Sequence, residues 1–119
     1  MTMTPLVLDA AELLARVEND RELLRELVAI FKKQLPGQID SLRNNVENGE
    51  IPGIVVAGHT FKGMLSNLGA PRAAAAAARL EELGKKGATD KVGPAFIELQ
   101  NEISLLMPEL ESCAAQVNT

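Results

Sequence analysis

The chain has 119 residues and a formal charge of −4, from 12 Lys and Arg against 16 Asp and Glu. That length suits a single domain over 1–119, too small for a dinucleotide-binding domain with a partner domain, and the acidic balance gives no basic footprint for nucleic acid or an anionic membrane. Apolar residues make up 46% of the chain but aromatic ones only 3%, namely Phe31, Phe61 and Phe96, so the core is aliphatic and modules that stack bases on aromatic rings are disfavoured.

Apolar residues recur every three or four positions and strand-like alternation is absent, so the fold reads all-α. A brief helix spans Asp9 to Val17, with Asp9 as its cap, Glu12 three residues on as in a capping box, and Leu13 and Leu14 on its apolar face. Asn19 or Asp20 caps a long second helix with the stripe Leu23, Leu27, Ile30, Phe31, Leu35, Ile39, Leu42 and Val46, closed by Gly49. Pro36 falls inside it, and because the stripe resumes in phase beyond, a kink is expected rather than a break.

Pro52 sits in the first turn of a third helix that carries Ile51, Ile54, Val55, Phe61, Leu65 and Leu68 inward and ends near Gly69. Pro71 opens a fourth through Ala73 to Ala78, Leu80 and Leu83, ended by Gly84 or Gly87; Glu81 and Glu82 each precede a lysine by four, which supports a helix. A last helix starts between Asp90 and Pro94 and repeats Val92, Phe96, Leu99, Ile103, Leu106, Leu110, Cys113 and Val117 at bundle spacing. The predicted architecture is an antiparallel up-and-down four-helix bundle with the short N-terminal helix packed against it. Such a bundle needs most of its Leu and Ile for stability, leaving few to line a ligand cavity. Cys113 is the lone cysteine and no apolar run is long enough to span a bilayer, so a soluble chain in a reducing, cytoplasmic compartment is expected.

One histidine is present, His59, placed mid-helix opposite the inward stripe and therefore facing solvent. Val55, Lys62, Gly63 and Ser66 adjoin it, and glycines at 58 and 63 each cost about 1 kcal/mol relative to alanine in an exposed helix interior. A neutral imidazole is a competent nucleophile toward a phosphoryl group, with Lys62 placed to neutralise the oxygens and Gly63 to admit them. Periodicity alone equally allows a plain surface histidine, a solvated lysine and a tolerated glycine.

Ala57 to Ala70, AGHTFKGMLSNLGA, resembles the signature of histidine-containing phosphotransfer (HPt) domains, modules of bacterial and eukaryotic phosphorelays. The likeness continues through Asp9, Leu13, Leu14, Arg16, Asn19, Asp20, Glu22, Leu23, Leu24 and Phe31, and through Leu80, Glu81 and Gly84, covering about residues 8–112. The resemblance implies that His59 takes a phosphoryl group from a receiver aspartate or a kinase and passes it to another receiver aspartate. It implies further that Lys62 sits beside the phosphoryl group, that Gly63 lets the receiver approach, and that Gly69 belongs to the helix end completing the motif. No intrinsic cofactor is implied; Mg2+ would belong to the receiver. The chain is then a phosphoryl carrier rather than a self-contained enzyme, with no autokinase domain.

The sequence departs from the family pattern at Met64, where a small residue is common, and at Gly58, where alanine is usual. Met64 either fills space inward or offers an adaptable contact to a receiver, and Val55, Ser66 and Asn67 are candidates for the same interface, though solvation explains Ser66 and Asn67 equally well. The competing reading is a helical adaptor that binds a receiver or kinase without being phosphorylated. A conventional enzyme lacks convergent acids and bases, since carboxylates such as Glu98 and Glu102 read as a solvated face. A monomer is expected, either free or as a segment of a membrane-anchored hybrid kinase.

Overall fold

The computed structural model describes residues 5–116, which form five α-helices and no strand. They are α1 (Ala10–Arg16), α2 (Arg21–Glu47), α3 (Ile51–Asn67), α4 (Pro71–Lys85) and α5 (Thr89–Ala115). Each of the four long helices packs on the next, and α5 returns to α2, so the ring closes around an aliphatic core. Leu24, Leu42, Ile54, Leu65, Leu80 and Leu99 are fully enclosed there, and Phe61 is 2% exposed. This is the expected all-α bundle with its extra N-terminal helix.

The α5 stripe from Val92 to Cys113 is buried throughout, as its spacing predicts; Val117 lies outside the described residues. In α2 the stripe is misread by one position in its first half. Leu24, Val28 and Phe31 enter the core, whereas Leu23, Leu27 and Ile30 are 40%, 37% and 51% exposed. Leucines at both 23 and 24 satisfy either phase of a 3.6-residue repeat, and packing against α5 selects the second. The helix passes Pro36 without a break, so Leu42, beyond the proline, is fully buried. Leu42→Ala is expected to cost about 2–5 kcal/mol, the range for truncating a buried leucine, and urea unfolding measures it; an unmoved midpoint would contradict this placement.

The caps act as foreseen at Asp9 and Asp20, whose side chains accept from the amides of Glu12 and Leu23, each at 3.0 Å. Only half of the expected capping box forms. The Asp9 amide donates at 2.7 Å to the Gly69 carbonyl, and the Glu12 carboxylate instead pairs with Arg16. That backbone bond pins α1 to the α3–α4 corner, where Gly69 has φ +70° and a Cβ would lie 2.9 Å from the Asp9 carbonyl oxygen. The end of α4 falls at Lys85, just before Gly87 at φ +67°; Gly84 is a buried position inside the helix and not its stop.

Candidate functional site

Helix α3 begins with Pro52 in its first turn, where a missing amide hydrogen costs nothing, and its buried residues Ile54, Gly58, Phe61 and Leu65 hold one face against the bundle. His59 and Lys62 therefore project from the flank that meets α4. The His59 side chain is 70% exposed, as its helical phase predicts. Across from it, Glu81 of α4 is 7% exposed, and it is the buried charged residue among those described.

Glu81 joins the cluster through both oxygens. Its Oε2 lies 3.1 Å from His59 Nδ1 and 3.3 Å from Lys85 Nζ, and its Oε1 lies 3.1 Å from Lys62 Nζ. The Lys62 hydrogen bond above all, then that of Lys85 and the attraction of both ammonium groups, hold the Glu81 carboxyl below its ordinary value of 4.5, against the opposing effect of burial. Glu81 is thus ionised near neutrality. A carboxylate only accepts hydrogen bonds, so the neutral imidazole must donate through Nδ1–H, which leaves the Nε2 lone pair bare and turned to solvent.

A lowered folded-state pKa contributes stability above the unfolded-state value, and that contribution is lost as pH falls through the folded value. The stability gap between the native chain and Glu81→Gln is therefore expected to be full near neutrality and to shrink as pH falls from about 4.5. Urea midpoints across that range test it, and a pH-independent gap would remove the carboxylate from the account.

The two glycines flanking His59 differ in what surrounds them. A Cβ at Gly63 would meet nothing within 4 Å, whereas one at Gly58 would lie 2.9 Å from the Glu81 amide nitrogen. The bare backbone at 63 thus serves no internal packing and opens the surface one turn beyond the imidazole. At 58 it serves the α3–α4 contact, which corrects the expectation that both glycines face outward.

Met64 is half-buried, with its sulfur 3.9 Å from Gln38 Nε2, and lines a shallow groove with Leu27, Ile30 and Leu68. The exposed leucine stripe of α2 thereby continues onto α3. Ser66 is exposed, Asn67 accepts from Arg16 Nη1 at 3.2 Å, and half-buried Val55 turns its Cγ2 toward Gly84. Glu102 is not on a solvated face: only 16% exposed, it holds Arg72 at 3.0 Å and ties α4 to α5. Glu98, 56% exposed, lies as expected. Sequence spacing gives Glu81 and Lys85 no site role, beyond Glu81's part in the family likeness and their pairing along α4. The i,i+4 spacing shows that they share a face, but not that the face meets His59. Among the described residues no group of three or more His, Cys, Asp or Glu side chains is placed to hold a metal ion, and no helix is long and apolar enough to cross a membrane.

The family model of the Hpt domain matches residues 26–116, which contain His59, Lys62, Glu81 and Lys85. The chain belongs to the Hpt domain family. Its fold is similar to the crystal structure of histidine-containing phosphotransfer protein B (HptB) from Pseudomonas aeruginosa PAO1, with a TM-score of 0.87 and 20% identity over 97% of this chain and 100% of that one. A comparison with curated protein sequences gives no match. Hpt domains serve histidine phosphotransfer in phosphorelays together with receiver domains and kinases, and that is the function of this one. The likeness seen in AGHTFKGMLSNLGA therefore stands at the level of family and function.

Proposed function

We propose that His59 is the phosphoacceptor and that Nε2 is the reacting atom. The observation that carries this is the 3.1 Å contact between Nδ1 and the buried Glu81 carboxylate on a ring otherwise open to solvent. In the forward step the Nε2 lone pair attacks phosphorus of a receiver's aspartyl phosphate, the Nε2–P bond forms, and the acyl P–O bond breaks to return the carboxylate. The ring then carries both Nδ1–H and the Nε2 substituent and is cationic, which the Glu81 carboxylate offsets. The reverse step delivers the group to another receiver aspartate.

Lys62 uses one N–H on Glu81, and its other donors remain for the equatorial oxygens, so it neutralises charge without leaving α3. Gly63 is the aperture for the incoming receiver. Met64 with Leu27 and Ile30 supplies an apolar seat for that partner, and exposed Ser66 and Asn67 with half-buried Val55 are further contact residues elsewhere on α3. The chain contributes no cofactor of its own, and the Mg2+ that balances the acyl phosphate comes with the receiver. Gly69 acts structurally, through the α1 contact.

The test is incubation with a radiolabelled, phosphorylated receiver, followed by acid and alkali stability of the label and mapping by mass spectrometry. Label that is acid-labile, alkali-stable and confined to His59 is expected. Stable binding of receivers with no label would instead favour the adaptor reading.

A further inference from the structure

We infer that Gly58 is a positioning residue of the acceptor: by omitting a side chain it lets the Glu81 main chain close on α3, and so sets the reach of the Glu81 carboxylate to His59 Nδ1. The inference rests on His59 being the acceptor. A Cβ at 58 would lie 2.9 Å from the Glu81 nitrogen, closer than real Cβ atoms come, and 3.0 Å from both its Cα and its Cβ, tighter than nearly all real contacts. Those atoms are backbone or rigidly attached to it, so no rotamer change relieves the contact and α4 itself must move.

The second glycine of this crossing, Gly84, meets different neighbours. A Cβ there would face Val55 Cγ2 at 2.9 Å and Ile54 Cγ2 at 3.3 Å, side-chain methyl groups of α3 and not the main chain of the facing helix. Close approach at the height of Glu81 therefore depends on position 58. Restoring an ordinary 3.4 Å contact to the Glu81 nitrogen requires a retreat of about 0.5 Å, enough to take the 3.1 Å bond past the roughly 3.5 Å limit of a useful one. Lys85 shares α4 with Glu81 and retreats with it, and Lys62, although on α3 beside His59, can follow on its long flexible stem, so the short-stemmed imidazole is the partner that is lost.

The experiment compares the native chain, Gly58→Ala, Glu81→Ala and the double variant by 15N NMR of the imidazole and by the initial rate of transfer from a phosphorylated receiver. Alanine favours helix, so α3 is retained. In Gly58→Ala the neutral ring is expected to shift from the Nδ1–H tautomer toward Nε2–H, and transfer to slow roughly tenfold, the size of losing one hydrogen bond to a charged group. In the Glu81→Ala background the same substitution should change neither quantity, because Gly58 acts through Glu81. An unchanged tautomer in Gly58→Ala, an equal rate loss in both backgrounds, or a Gly58→Ala chain that does not fold would each overturn the proposal and leave Gly58 a packing residue. The tautomer is read without phosphate, so an acceptor other than His59 would show in the labelling experiment while the positioning result stood by itself.

Discussion

Replacing His59 with glutamine is expected to reduce phosphoryl transfer to background while leaving the bundle as stable as before. The imidazole is 70% exposed and fills no core space, and a surface substitution of that kind changes stability by about 0.5 kcal/mol or less. Glutamine keeps an N–H donor for the Glu81 carboxylate, so the buried charge is not stranded. What disappears is the lone pair, since an amide nitrogen is not a nucleophile toward phosphorus. Circular dichroism melts that superimpose, beside an autoradiograph with no labelled product from His59→Gln, are the expected pair of results. Transfer at the native rate by the folded variant would move the acceptor elsewhere in the chain.

How the site assembles explains which parts of it could be read from the residues alone. His59, Lys62 and Gly63 share one helix, so a 3.6-residue repeat ties them together, and Phe61 and Leu65 mark the opposite face. Glu81 comes from another helix, 22 residues on, and local spacing carries no information about which α4 side chain opposes which on α3. Its pairing with Lys85 was legible, but only as support for a helix.

The same reasoning accounts for α2. Apolar residues at 23, 24, 27, 28, 30 and 31 form two adjoining stripes, and nothing local says which belongs inside. The stripe left outside is the functional one in the proposed reading, since Leu27 and Ile30 join Met64 of the acceptor helix in one groove. By contrast α5 offers one unambiguous stripe, and it is buried from Val92 to Cys113. Gly58 and Gly63 look alike in sequence, and only the approach of α4 assigns one to packing and leaves the other to a partner.

That distinction leads to opposite effects at position 63. Gly63→Gln is expected to stabilise the isolated protein by up to about 1 kcal/mol, because glycine is the poorest ordinary residue in an exposed helix interior and a Cβ here meets nothing within 4 Å. The same side chain stands one turn from His59, on the surface that a receiver must cover for its aspartate to come in line with Nε2. Displacing the partner by about 1 Å costs on the order of 100-fold in a reaction that depends on alignment, so transfer should fall by at least that factor. Urea unfolding and single-turnover transfer, measured on one preparation, give both numbers. A structural glycine predicts that the two decline together, whereas an aperture predicts a chain that is harder to unfold and slower to phosphorylate. If Gly63→Gln transfers at the native rate, the receiver approaches His59 from another side and the Met64 groove loses its assigned partner.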